Sequence, residues 1–413
     1  MGDDRRLLIF ELAAGGHYPS YIQHLTRYWN QQMLPGHLDV VVSPTFVQKH
    51  GDVIEQALCQ ASHSTLNFVP ITPAEAAKLT PRNSPATRAV RSFQEWQLLQ
   101  KYGRVLATTH CLLLYFDSFQ AAIASGIKLP CAFSGIYFRP TFHYRTFQVY
   151  QPTLKEQVQE WRERLMLTRV LQHPQLQTLF CLDPFAIQPL TQFSRQVHSV
   201  YLPDPVAVGD IPEPRQLQQL RTRLGIAGDR RVLLLFGALY DPRKGVRQVL
   251  DAMALLSPED CQQLCLLLVG QLEGQDSSIR TRVADLTQRL PIQVLIHAGY
   301  VPESDVQSYF HLADVVLAPY QRHVGMSGIV VQAAAAQKPI ICSNYGLMGQ
   351  LTRHWQLGLT VNAAAPAEIA IALKRCLQEL PEQLGDRSKM AAFAQQNSAE
   401  NFAQVIFQNL WEG

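Results

Sequence analysis

Short, wholly apolar runs alternate along the chain with longer stretches that are apolar on one face only. In the first half the runs are LLIFEL (residues 7–12), DVVVS (39–43), LNFVPI (66–71), CLLLYFD (111–117), PCAFSGI (130–136) and LQTLFCLD (176–183). Helical patterns lie between them: SYIQHLTRYWNQQ (20–32), TRAVRSFQEWQLLQKYGRVLA (87–107) and TLKEQVQEWRERLMLTRVL (153–171). A strand apolar on both faces must be covered on both, so this alternation predicts a parallel sheet between two layers of helices. In 153–171, Leu154, Val158, Trp161 and Leu165 fall at i, i+4, i+7 and i+11. That stripe predicts a surface helix packed through this face, with a membrane-binding face as the alternative.

The stretch VYLPDPVAVGDIPEPRQ (200–216) carries four prolines and reads as a linker. After it the pattern restarts. RVLLLFGALY (231–240), CLLLVG (265–270), QVLIHAGY (293–300), ADVVLAPY (313–320) and KPIICSN (338–344) are strands with helices between. Two doubly wound α/β units are expected, 1–204 and 205–390, followed by a C-terminal helix (391–413) that packs back on the first unit. Such units bind ligands at the carboxyl ends of their strands, so the facing ends define a cleft. Closure about a hinge near Pro203 to Pro214 would exclude water from it.

Composition narrows this little. The 413 residues are 47% hydrophobic and 17% charged, enough for two cores. The net charge of +3 gives no case for nucleic acid. Residues 1–205 hold 18 Lys/Arg against 14 Asp/Glu, and the remainder 18 against 19, a mild asymmetry that fits a plain solvated surface. The eight cysteines form no CxxC and sit mostly in apolar runs, as reduced core thiols of a cytoplasmic protein do. Cys261 and Cys265 are four apart without a partner pair, so no metal is expected. The start, MGDDRRLLIFELAAGGHY, reads as a first strand and not a signal peptide, and position 6 is Arg6 where a myristoylation signal wants Ser or Thr. No run approaches a spanning helix, which leaves a soluble or peripheral protein.

Candidate chemistry gathers at the strand ends of the second half. Gly237 ends one strand, and Arg243-Lys244-Gly245 opens the next helix. Two cations beside a helix N-terminus suit a diphosphate; alone, they are equally solvated loop residues. Gly299, Tyr300 and Val301 stand at another strand end, with Ser304 as an N-cap, where backbone can meet a flat nucleobase. In GMSGIVVQAAAAQ, Gly325 and Gly328 permit close backbone approach, and Ser327 and the first N–H groups of a helix would meet an anion.

The ordered segments GALYDPRKG, GYVPESDVQSYFHLADVVLAP, SGIVVQAAAAQKPIICSNYG and GQLTRHWQLGLTVNAAAPAEIAIAL together resemble the donor half of retaining glycosyltransferases of family 4, which have the GT-B fold. The resemblance covers roughly residues 230–380. It implies a nucleotide-diphosphate sugar as co-substrate, no other cofactor, and a glycan, lipid-linked or small-molecule acceptor, with room for peripheral membrane contact. It implies that Lys244 contacts the donor diphosphate and that Gly325, Met326, Ser327 and Gly328 hold its phosphates. An Arg usual after the strand-end glycine is here Ala238, and Arg243 would supply the charge. The family's two glutamates, eight apart, align with Val324 and Gln332. Gln332 can still meet a ribose hydroxyl, whereas Val324 cannot do a carboxylate's work, leaving Gln321, Arg322 or His323 to take over, a different donor, or lost catalysis.

The first half offers acceptor-side candidates. Gly15-Gly16-His17 follows the first strand, where His17 is a general base, a phosphate contact or a helix cap. Asp117 ends a strand at the same rim, as a catalytic group or an N-cap. SGIYFRPTFHYRTF (134–147) combines aromatics with Arg139, His143 and Arg145, as a sugar- or headgroup-binding loop or a packed one. The expectation is a glycosyltransferase with His17, Asp117 and Lys244 in catalytic roles. The alternatives are a non-catalytic GT-B binder or partner subunit and, more weakly, a dinucleotide oxidoreductase, against which AAGGHYPS lacks the G-x-G-x-x-G spacing.

Overall fold

The computed structural model describes residues 5–60, 65–147, 149–206, 211–272 and 277–411. Two compact units are present. The first contains residues 1–145, 151–205 and 399–413; the second contains 146–150 and 206–398. The expected boundaries at 204/205 and 390/391 therefore lie at 205/206 and 398/399, and a five-residue piece of the aromatic loop goes with the second unit.

The first unit is built on a seven-stranded, all-parallel sheet: β1 (Arg6–Phe10), β2 (His37–Val42), β3 (Thr65–Pro70), β4 (His110–Leu113), β5 (Ala132–Tyr137), β6 (Leu176–Cys181) and β7 (His198–Tyr201). Their order is β3-β2-β1-β4-β5-β6-β7. Alternation explains the continuous apolar runs. Leu7 and Ile9 join one core with Tyr21, Trp29 and Val40, while Leu8 and Phe10 join the other with Trp96, Leu113 and Phe133. Each face is closed by helices. The C-terminal helix Ala399–Trp411 buries Phe402, Ala403, Ile406 and Phe407 in the first of these cores, with Phe407 5.7 Å from the Trp29 ring and Phe402 4.7 Å from Tyr21.

The second unit repeats the plan with β8 (Arg231–Phe236), β9 (Leu264–Gly270), β10 (Gln293–Ala298), β11 (Val315–Ala318), β12 (Ile340–Ser343) and β13 (Gly358–Val361), in the order β10-β9-β8-β11-β12-β13. β9 is buried along its whole length. In both sheets the order reverses once, between β1 and β4 and between β8 and β11. That reversal is the crevice where doubly wound sheets take ligands.

Several expectations are corrected. The proline-rich stretch is not all linker: Val200 and Tyr201 belong to β7, and Pro214 opens the helix Pro214–Leu224. Residues 207–210 lie outside those described. β7 and β13 are short edge strands, mostly half-exposed, and so lack the continuous apolar run that marks a strand covered on both faces. The stripe on the long helix Leu154–Val170 also points the other way. Leu154, Val158, Trp161 and Leu165 are 81%, 64%, 67% and 54% exposed. The helix is seated through buried Glu160, Leu167 and Val170 instead. Glu160 takes Arg145 at 2.5 Å and Arg164 at 3.4 Å, so a charged residue faces inward where a hydropathy pattern expects it outside.

Candidate functional site

At the switch point of the second sheet, the chain leaving β8 makes room for a cation. Gly237 has φ +121°, and a Cβ there would stand 2.8 Å from the Lys244 ammonium nitrogen. Asp241 then caps a 3-10 turn, Pro242–Lys244, by accepting the Arg243 backbone N–H at 2.9 Å. The turn carries Lys244 inward. Its buried ammonium donates to the Phe236 carbonyl at 3.3 Å and to the Tyr320 hydroxyl, and lies 4.4 Å from the centre of the Tyr320 ring. Burial, reinforced by Arg243 and opposed by Asp241, lowers its pKa to about 8. Near neutral pH it is still mainly a cation, thinly solvated and ready for an anion.

The chain leaving β11 supplies the other wall. Burial pushes the Tyr320 phenol up to about 12, so it stays neutral, and it shares a hydrogen bond with the Ser327 side chain. Arg243 is fixed from several sides. Its carbonyl accepts the Gln321 N–H at 2.8 Å, its Nε donates to Asp241 at 3.1 Å, and its Nη1 lies 3.2 Å from His323 Nδ1. An arginine can only donate, so Nδ1 is the acceptor, and His323 Nε2 then donates to the Met326 carbonyl at 3.0 Å. His323 is thus oriented by both partners. Ser327 occupies the N-cap of the helix Gly328–Ala335 without using its side chain as a cap; its carbonyl takes the Val330 N–H at 3.0 Å, and the N–H groups of Gly328 and Ile329 lead the helix.

The same loop holds Gln321, Arg322 and His323, the three neighbours of Val324. Gln321 is committed to the carbonyls of Pro319 and Ala363, at 2.9 and 2.7 Å. Arg322 lies 3.3 Å from the Tyr345 hydroxyl and over its ring. Val324 is pinned by backbone: Leu347 N–H reaches its carbonyl at 3.0 Å, and a Cβ on Gly346, which has φ +68°, would come 2.7 Å from the Val324 Cα. His323 places its ring against the Arg243 guanidinium, and Gln321 meets Arg243 through backbone. Gln332 sits one turn into the helix, and its side-chain oxygen accepts from Gln307 of the helix Glu303–Leu312.

Not every predicted residue converges. Gly299, Tyr300 and Val301 follow β10, at the outer edge of the sheet, and Tyr300 is exposed. Pro302, not Ser304, occupies the N-cap position of the helix that follows. Gly299 is tied to the strand end beside Gly237 through backbone: its N–H donates to the Gly270 carbonyl at 3.1 Å, and a Cβ on Gly270 would strike the Gly237 carbonyl.

In the first unit, Glu11 after β1 and Asp117 after β4 flank the switch point. Asp117 lies in a 3-10 turn, Phe116–Ser118, beyond the end of β4 and not within a strand. Its carboxylate is no helix cap; it accepts the backbone N–H groups of Phe138 at 2.9 Å and Arg139 at 3.2 Å. Burial outweighs those bonds and raises its pKa to about 6. Glu11 is buried, accepts the Ala13 N–H at 2.8 Å, and is pushed by burial to about 8. Tyr18, Tyr115 and Phe138 form the aromatic rim, with ring centres 5.2 to 6.5 Å apart. Gly15, Gly16 and His17 are exposed, and His17 is the N-cap residue of the helix Tyr18–Gln31 without capping it by its side chain. His143 is a correction. It is buried and paired with Asp183 at 2.8 Å, and Phe142 and Tyr144 turn inward beside it, so this stretch is a packed 3-10 turn and not a binding loop. Arg139 is exposed.

Tyr320, Gln307 and Glu11 were not visible as site residues. Tyr320 read as the end of a strand and Gln307 as an ordinary helical glutamine. Glu11 alone carried a signal, a carboxylate set in the apolar run LLIFEL.

Residues 230–379 match the family described as "Glycosyl transferases group 1", so the second unit carries a domain of that kind. Among curated proteins, the putative glycosyltransferase YtcC of Bacillus subtilis is 26% identical over 168 residues, which are 40% of this chain and 41% of YtcC. The lipopolysaccharide 1,2-N-acetylglucosaminetransferase of Salmonella typhimurium is 26% identical over 191 residues, 45% of this chain and 49% of the relative. The chain thus spans less than half the length of these relatives. Whole-chain similarity appears in solved structures. HepE from Anabaena in complex with UDP aligns with a TM-score of 0.66 at 14% identity, over 99% of this chain and 100% of that one. Sucrose-phosphate synthase from Thermosynechococcus elongatus aligns at 0.68 and 17%, over 99% and 98%. The fold is GT-B: two Rossmann-like domains with parallel sheets of seven and six strands.

Proposed function

We propose that this protein transfers a sugar from a nucleoside-diphosphate sugar to a hydroxyl-bearing acceptor, with retention of configuration at the anomeric carbon. The observation that carries the reading is the convergence of Lys244, Arg243, the Tyr320–Ser327 pair and the helix start at Gly328 on one switch point. Negative charge that develops on a departing diphosphate would be met there by two cations and backbone N–H groups already in place. Gln332 is assigned to a ribose hydroxyl and Tyr300-Val301 to the base. UDP is the first nucleotide to test, because HepE was solved with it. The carboxyls of Asp117 and Glu11, with His17 at the loop before the first helix, mark the acceptor side.

A second reading, a binder that holds the donor without turning it over, is favoured by Val324 and the pinned backbone around it. The two readings separate by calorimetric titration with UDP-, GDP- and ADP-sugars, each followed by an assay for released nucleoside diphosphate with hydroxyl acceptors present. Binding with release is expected. Binding without release across an acceptor screen supports the binder, and no binding to any of the three removes both readings.

A further inference from the structure

We infer that the helix Leu154–Val170 is a membrane-docking surface that lies on an anionic lipid bilayer. Its seating and its exposed face have opposite chemistry. At about 100° per residue, Leu154, Val158, Trp161 and Leu165 share one narrow sector, and all four are more than half exposed. Lys155, Arg162 and Arg169 are spaced seven apart and run as a row along one flank of that stripe. All three are exposed, and their side chains make no ion pair or hydrogen bond among the described residues.

The acids of the same helix are all turned away. Glu156 closes a capping box with Thr153, Glu160 is buried against Arg145 and Arg164, and Glu163 accepts from Tyr137 and Thr141. A charge-mixed sequence is thereby sorted by folding into a face that is apolar and purely cationic. A soluble surface helix needs neither the four exposed apolar side chains nor the removal of every acid from beside them. An interfacial helix needs both, apolar side chains to enter the acyl boundary and lysines or arginines to meet anionic headgroups. The one exposed tryptophan among the described residues, Trp161, stands mid-stripe, where an indole suits the headgroup level. The charge complementarity selects a lipid surface over a protein groove, and the inference does not depend on the glycosyl-transfer reading.

The test is co-sedimentation of the full chain with vesicles of phosphatidylcholine alone and with about 30 mol% phosphatidylglycerol, at low and at physiological salt. Tighter binding to the anionic vesicles by about tenfold or more is expected, weakening with salt. Trp161→Glu should abolish it. Lys155→Gln with Arg162→Gln and Arg169→Gln should remove the preference for anionic lipid. These side chains are exposed, so the variants should melt as the parent does, and a blue shift of tryptophan emission on vesicles should vanish in Trp161→Phe. Equal binding by parent and Trp161→Glu, or none by the parent, overturns the inference. So does sedimentation equilibrium showing a dimer that Trp161→Glu dissolves while vesicle binding is absent, which would make the stripe a seam between two copies.

Discussion

The two switch points share a topology and differ in charge. Between β8 and β11 the fold buries a lysine beside an arginine, a neutral tyrosine and a helix N-terminus. Between β1 and β4 it holds two carboxyls whose pKa values burial raises, Glu11 to about 8, so that it keeps its proton near neutral pH, and Asp117 to about 6, under an aromatic rim. A Rossmann-like crevice by itself prescribes no ligand; side chains at the strand ends do. The second crevice is built for an anion. The first suits an uncharged partner with hydroxyls and apolar faces, since a protonated carboxyl can donate as well as accept.

The sharpest way to break this contrast is Lys244→Met, which keeps the stem and removes the charge. Sugar-donor kcat/KM should fall by about 10²–10³-fold if Lys244 meets developing charge. Unaltered kinetics would reduce Lys244 to a packed core residue. In the parent, donor affinity should decline as pH rises through about 8, where Lys244 loses its proton. Lys244→Met should lose that pH dependence, as read by calorimetry at pH 7 and 9.

Glu11→Gln addresses the first crevice. The folded pKa of about 8 lies above the ordinary value of 4.5, so the native state holds a proton that the unfolded chain releases. Glu11 therefore favours folding at low pH, and that contribution is lost as pH rises from 4.5 through about 8. The Gln variant should be more stable than the parent at pH 9 by roughly 3–5 kcal/mol and within about 1 kcal/mol of it at pH 5, measured by urea unfolding. A gap that does not vary with pH would mean that Glu11 is ionised and paired. The smallest effect belongs to Gln332→Glu. The Gln307 amide already donates to the Gln332 oxygen, so a carboxylate keeps that bond and adds a stronger acceptor. Donor Kd should tighten by about three- to tenfold if a ribose hydroxyl sits there. No change would remove Gln332 from the site.

What was legible before folding follows from the range of the interactions concerned. Eleven of the thirteen strands among the described residues lie in apolar runs that show, because strands buried on both faces must be continuous. Lys244 and the glycine-containing start of the helix Gly328–Ala335 were legible because an anion site at a strand-to-helix turn is local in the chain. Tyr320 and His323 were not assignable, since their role is a contact with residues 76 and 80 positions earlier. His143 misled for the complementary reason. Its aromatic and cationic neighbours look like a binding loop until Asp183, 40 residues on, takes its ring into the core.

Two parallel α/β units and a turn carrying two cations in the second could be read from the chain, because periodicity and turn chemistry act within a few residues. Folding was needed to raise the pKa values of Glu11 and Asp117 by burial, to set His323 against Arg243, and to turn the stripe of the helix Leu154–Val170 outward. Each depends on which distant groups exclude water, and which supply the compensating hydrogen bond, once the chain has closed on itself.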